Sequence, residues 1–93
     1  MENRYFMYVL KCGDNSLYGG YTNDLKHRLE QHQSGKGAKY TKNHLPVEMI
    51  YHEEFDNKHD ALSAEYHFKH QSRKKKIDYL KSHGVDINKE HLL

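Results

Sequence analysis

Tyr5-Phe6-Met7-Tyr8-Val9-Leu10-Lys11-Cys12 is an aromatic and aliphatic run without Gly or Pro, followed by Gly13-Asp14-Asn15-Ser16 and then by Leu17-Tyr18-Gly19-Gly20-Tyr21. The first run has the composition of a strand, the four residues after it are a dense turn signal, and a second short strand follows. The stretch therefore reads as a β-hairpin with a loop of about four residues. Gly19 and Gly20 weaken the second strand, and are expected there only where backbone or a ligand must approach closely.

Working outward, Asn23 can cap a helix over Asp24–Ser34, with Asp24 in its first turn, Leu25 and Leu29 as its apolar stripe and Gly35 as its stop. Residues 34–46, with two Gly, three Lys and the single Pro, read as a basic loop. Val47, Met49, Tyr51 and Phe55 alternate with polar residues, apart from Ile50, and predict a third strand. Asp56 or Asn57 then caps a second helix bearing Ala61, Ala64 and Phe68. Ser72 starts a third helix that carries Ile77 and Leu80 and closes at Gly84. The order ββαβαα, without repeat or linker, predicts an α+β domain over residues 4–82, a small three-stranded antiparallel sheet flanked by helices. The tail at 83–93 carries no readable signal.

Ninety-three residues have room for one small core. An apolar fraction of 35%, a charged fraction of 30% and a mean hydropathy of -1.11 would suit a disordered chain. Eight Tyr and three Phe argue for a folded one, since such rings supply core area. Cys12 is the single cysteine, so neither an internal disulfide nor a Cys-based zinc site can form. No disulfide-linked partner is expected, and a reducing cytoplasm is the natural setting. No apolar run approaches the ~18–20 residues of a membrane span, and no signal-peptide core is visible near the start.

The net charge of +2 is small but unevenly spread. From Lys26 to Lys42 five Lys/Arg stand against Glu30, a balance of +4. From Val47 to Tyr66 six carboxylates oppose Lys58, a balance of -5, and from His67 to His83 six Lys/Arg oppose Asp78, a balance of +5. Two basic segments flank an acidic one, and would form a phosphate-binding surface if the fold unites them. Otherwise they are solvated helix faces.

Glu65 breaks the binary pattern of its helix. It lies four residues after Ala61 and three before Phe68, on the stripe that should face the core, where a carboxylate needs a partner or a cation. A pair with Lys69 one turn later is the plain alternative. Arg28 and His32 project from one side of the first helix, where an Arg can grip phosphate with its forked donors. Tyr8 and Tyr18 stand on adjacent strands, and the glycine beside Tyr18 opens space for a phosphate.

This set resembles the GIY-YIG nucleases. The two triplets of the name correspond to Phe6-Met7-Tyr8 and Tyr18-Gly19-Gly20, followed by Arg28 within Asp24-Leu25-Lys26-His27-Arg28-Leu29, by His32, and by Glu65 within Ala61-Leu62-Ser63-Ala64-Glu65. Gly35-Lys36-Gly37-Ala38-Lys39-Tyr40-Thr41 and Pro46-Val47-Glu48 resemble a small stand-alone bacterial group of such domains. Phe6 and Gly19 depart from the named triplets, Tyr21 stands where some relatives carry a catalytic Lys, and no Asn follows soon after Glu65.

The resemblance implies a metal-dependent endonuclease that hydrolyses DNA phosphodiesters, with structure-specific repair or recombination as a family habit and RNA left open. Glu65 would hold one Mg²⁺ or Mn²⁺ ion, Arg28 a phosphate oxygen, and Tyr8 would receive the proton of the attacking water. Tyr18 and His32 would orient water or phosphate, His32 being a second candidate base. Lys36, Lys39, Lys42, Lys69, Arg73 and Lys74 would contact the nucleic-acid backbone. The alternative is a non-catalytic nucleic-acid-binding module on the same fold, which needs the cations but neither Glu65 nor Tyr8.

Overall fold

The computed structural model describes residues 4–87. Along the chain come β1 (Tyr5–Lys11), β2 (Leu17–Thr22), α1 (Leu25–Gln33), α2 (Lys39–Lys42), β3 (Glu48–Phe55), α3 (Lys58–Lys69) and α4 (Arg73–Ser82). The expected ββαβαα order holds, with α2 added inside the segment that reads as a basic loop. The antiparallel sheet has the order β2-β1-β3, which puts β1 in the centre.

Local chemistry sets the ends of the helices. Asp24, not Asn23, caps α1, its carboxylate accepting from the His27 amide at 3.1 Å. Asn57 accepts from the Asp60 amide at 2.8 Å to start α3, and Ser72 from the Lys75 amide at 3.3 Å to start α4. Gly35 and Gly84 follow α1 and α4 with φ of 81° and 85°, a left-handed conformation that glycine adopts without penalty. In β3, Tyr51 pairs with Val9 and Met49 with Leu10, so Ile50 is the extra residue of a bulge. That bulge is why Ile50 interrupts the alternation in the sequence.

A central strand covered on both faces reads as an unbroken apolar run, and Met7 through Leu10 are fully buried. Met7 and Val9 face α3 and α4, packing with Leu17, Phe68, Leu80 and Ile87. Tyr8 and Leu10 face the other way, with Cys12 and Val47 and against Leu25 and Leu29 of α1. The sheet thus lies between α1 on one side and the α3–α4 pair on the other. Burying each such aliphatic side chain contributes about 1.5–3 kcal/mol.

Ile87 is 3% exposed in this core, and the Val85 amide donates to the Leu80 carbonyl at 2.8 Å. The packed unit therefore continues past residue 82, because α4 needs these two apolar side chains to cover its end; residues 88–93 of the expected tail lie outside the described part. Tyr51 and Tyr79 both donate to Glu53, which ties α4 to β3. Burial and the adjacent carboxylate push the Tyr79 phenol up to about 12 and raise Tyr51 as well.

The adjacent glycines have an internal cause. A Cβ on Gly19 would stand 2.9 Å from the Phe68 ring, and one on Gly20 would stand 2.4 Å from the ring of Tyr8. The space at both positions is filled by the protein's own aromatic rings, rather than kept open for a phosphate.

Candidate active site

Tyr8 is placed by β1, and its ring crosses Gly20 of the paired strand toward α1. There its hydroxyl lies 2.7 Å from Nε2 of His32, which has no exposed surface. Arg28, one turn before His32, donates from Nε to the Tyr8 oxygen at 3.3 Å and from Nη1 to Gln31 at 3.1 Å. The helical i, i+4 spacing of Arg28 and His32 is what lets both reach one phenol.

Donor accounting gives one consistent direction to each proton. The Thr41 hydroxyl, within the short α2, has one hydrogen and gives it to the Ala38 carbonyl at 2.9 Å. Its contact with His32 Nδ1 at 2.8 Å must then be accepted from Nδ1–H. In a neutral ring Nε2 is therefore the bare acceptor, and the Tyr8 O–H donates to it. Burial, reinforced by the charge of Arg28, holds the imidazole at about 4, so His32 is neutral at pH 7. Burial also raises the Tyr8 phenol above its ordinary value, while the hydrogen bond and charge of Arg28 pull it back. Gly37 closes over this ring: a Cβ there would stand 2.4 Å from His32 Nδ1.

Tyr18 is half-buried and meets His32 edge-on at 5.5 Å between ring centroids. Its phenol is raised by burial, lowered by Arg28 and raised again by Glu65. Glu65 is half-buried, not fully in the core stripe, since its helix turns it to the margin between Ala61 and Phe68. Its carboxylate makes no hydrogen bond or ion pair among the described residues, so the alternative pair with Lys69 does not form. Its charge nevertheless acts on both Tyr8 and Tyr18.

Tyr8, Tyr18, Arg28, His32 and Glu65, drawn from four elements, thus form one neighbourhood. The sequence matches the GIY-YIG catalytic domain over residues 4–78. This chain belongs to the GIY-YIG family. It is 55% identical to a UPF0213 protein of Pediococcus pentosaceus, over 91% of this chain and 90% of that one. It is 56% identical to a UPF0213 protein of Limosilactobacillus reuteri, over 95% and 94%. Among solved structures it resembles a UPF0213 protein of Bacillus halodurans, at TM-score 0.57 and 41% identity over 84% of this chain and 83% of that one. A protein of E. faecalis matches at TM-score 0.61 and 46% identity over 90% and 92%. The GIY-YIG resemblance and its fold are thereby shown, and the family points to nuclease chemistry on nucleic acid.

The basic residues divide. Lys69 and Arg73 line a groove beside Tyr18, whereas Lys74 is exposed on α4 and stands outside that lining. Lys36 is exposed after α1, and Lys39 and Lys42 are exposed on α2. Tyr40, between those two lysines, shares the groove with Lys69, so the two basic segments do meet. Three further residues escaped the sequence reading. Lys76 lies one turn after Arg73, a spacing that could have selected it over Lys74. Thr41 and Tyr40 sat in a segment read as loop, where nothing indicated a buried hydroxyl or a stacked ring. No helix among the described residues is long and apolar enough to cross a membrane.

Proposed function

We propose that this protein is a divalent-metal-dependent endonuclease that hydrolyses DNA phosphodiesters, and that Tyr8 takes the proton of the attacking water. The observation that carries this reading is the bracketing of one phenol oxygen by opposite partners. Tyr8 can pass its own hydrogen to the bare Nε2 of His32 at 2.7 Å, while Arg28 Nε, at 3.3 Å, stabilises negative charge on the oxygen left behind. As water attacks phosphorus, its proton goes to the Tyr8 oxygen and the Tyr8 proton goes to His32, so the phenol ends neutral. An anionic phosphate beside Arg28 offsets the charge that depresses His32, and so makes the imidazole a better acceptor when substrate is bound. Arg28 also has guanidinium donors to spare for a non-bridging oxygen.

Glu65 suits a hard cation: its carboxylate is half-buried and unpaired among the described residues. No group of three or more His, Cys, Asp or Glu side chains converges among those residues, so one ion would be held by Glu65, water and substrate oxygens. Such an ion would neutralise phosphate charge and stabilise the leaving alkoxide. Tyr18, in contact with His32, orients the phosphate or water.

The test is incubation of the purified chain with linear, nicked and branched DNA, in Mg²⁺, Mn²⁺ or EDTA. Cleavage should require the metal and vanish in Glu65→Ala with the fold intact, since Ala is a favourable helix residue. Cleavage that persists in EDTA or in the variant removes Glu65 from the chemistry. Binding without any cleavage favours the non-catalytic module.

A further inference from the structure

Beside the Tyr8–His32 pair runs a groove made of two adjoining concavities. One, of about 320 Å³, is lined by Leu17, Tyr18, Gly19, Tyr40, Lys69 and Lys76. The other, of about 240 Å³, shares Leu17, Tyr40 and Lys76 and adds Ser16 and Arg73. Tyr18 joins the groove to the site, since its ring meets His32 edge-on and lies within 15° of parallel to Tyr40 at 6.0 Å.

Tyr40 is built as a platform. Its ring is backed by His44, parallel within 14° and 4.1 Å away, and the His44 ring is held by the Tyr40 carbonyl at 2.5 Å. Yet Tyr40 remains 41% exposed, an unusual state for a ring so firmly supported. Around it, Lys69, Arg73 and Lys76 make no ion pair among the described residues. Lys76 is half-buried, and burial, Arg73 and Lys69 together hold its ammonium below its ordinary value. Three cations crowded without a carboxylate repel one another, and an anion in the groove relieves that cost. Leu17 and Gly19, which also line the groove, offer no side-chain donor or acceptor to read a base edge.

We propose that this groove is a subsite for an unpaired nucleotide flanking the scissile phosphodiester, its base stacked on Tyr40 and its phosphate held by Lys69, Arg73 and Lys76. The position relative to the scissile bond rests on the nuclease reading; the occupant rests on the groove itself. A base inside a duplex has both faces covered by its neighbours, so the exposed part of the supported Tyr40 ring selects an unpaired one, and it does so with little regard to sequence. The size of the larger concavity falls in the range of small-ligand pockets, roughly 300–1,000 Å³.

The experiment measures binding in EDTA, where no metal-dependent cleavage intervenes. Fluorescence anisotropy is read for a short oligothymidylate, an abasic strand of the same length and a blunt duplex. The wild type should bind oligothymidylate more tightly than the abasic strand by about 5- to 150-fold, the range that stacking of one base on an aromatic ring supplies. Tyr40→Phe should keep that ratio, and Tyr40→Ala should bring it near one without weakening the abasic strand. Tyr40→Leu keeps the bulk and serves in the same role if the Ala variant melts early. Lys76→Gln should weaken both strands and flatten the salt dependence of binding. Equal wild-type affinity for the two strands, a ratio that survives Tyr40→Ala and Tyr40→Leu, or a duplex bound more tightly than the single strand would each overturn the subsite. Failure of the nuclease reading would appear instead as absent cleavage in metal, with the binding ratios intact.

Discussion

Met7 and Tyr8 are consecutive in the central strand and neither exposes any surface, but the two faces they serve are built on different physics. Met7 lies with Val9 among Phe68, Leu80 and Ile87, where non-directional burial of apolar area does the stabilising. Tyr8 enters a relay through His32 and Thr41 to the Ala38 carbonyl, in which each proton has one destination. Such buried polar chains are costly unless every member is satisfied. Equal burial thus marks neither equal stability nor equal purpose: one face holds the sheet together, and the other devotes part of its burial to a pre-set proton path.

The largest expected effect is on the apolar face. Met7→Ala should destabilise the fold by about 2–5 kcal/mol, read as a lower urea midpoint at unchanged slope. Tyr8→Phe should cost less, about 1–3 kcal/mol, because it leaves His32 Nε2 without its donor but removes no packing. A Tyr8→Phe cost equal to or above that of Met7→Ala would recast the relay as structural and break the contrast.

Turnover should rank the same pair the other way. In the proposed hydrolysis, Tyr8→Phe and Arg28→Ala each lower the metal-dependent rate by ~10²-fold or more, while Met7→Ala, assayed cold where it is folded, keeps its rate per folded molecule. DNA affinity should barely change in Tyr8→Phe and fall modestly in Arg28→Ala, which also loses a phosphate contact. A Met7→Ala rate as low as that of Tyr8→Phe would show that the two faces are not separable.

The apolar face was legible in the sequence, and the relay only in part. Hairpin, cap residues Asn57 and Ser72, and the glycine stops all follow from local chemistry, and the interruption at Ile50 even marked the bulge. The residues of the relay are spaced by 24 and 9 positions, and no periodicity links residues on different elements. Helical spacing and strand pairing singled out Tyr8, Arg28, His32 and Glu65, and the family resemblance joined them in one site, but neither could say that His32 is fully buried or that Thr41 orders it. The two glycines misled for the same reason: a gap beside a strand looks alike in sequence whether a ligand or a distant Tyr ring fills it.

The acid response sharpens the contrast further. The folded chain holds His32 at about 4, whereas an unfolded His titrates near ~6.5. The folded pKa is depressed, so the stability linked to neutral His32 is fully present above about 6.5 and is lost as pH falls toward about 4, because only the unfolded state takes up the proton in that window. Urea midpoints at neutral pH and near the foot of the window should therefore fall more in wild type than in His32→Gln, which cannot titrate. Parallel losses in the two proteins would place the acid sensitivity elsewhere.

The smallest effect tests the end of the relay. Thr41 reaches Tyr8 only through His32; it accepts from His32 Nδ1–H at 2.8 Å because its own hydrogen is committed to the Ala38 carbonyl. Thr41→Val keeps the shape and removes that acceptor, so nothing then favours hydrogen on Nδ1 over Nε2. Turnover should fall only about 3- to 10-fold, since the ring can still sample the productive tautomer. Nitrogen NMR of His32 gives the decisive readout. Wild type and Thr41→Ser should show one tautomer with Nδ1 protonated, and Thr41→Val a mixture, with rate loss tracking the share of the wrong form. A Thr41→Val protein with the wild-type tautomer and a reduced rate would mean that Thr41 acts through packing against α1, not through the proton it accepts from His32.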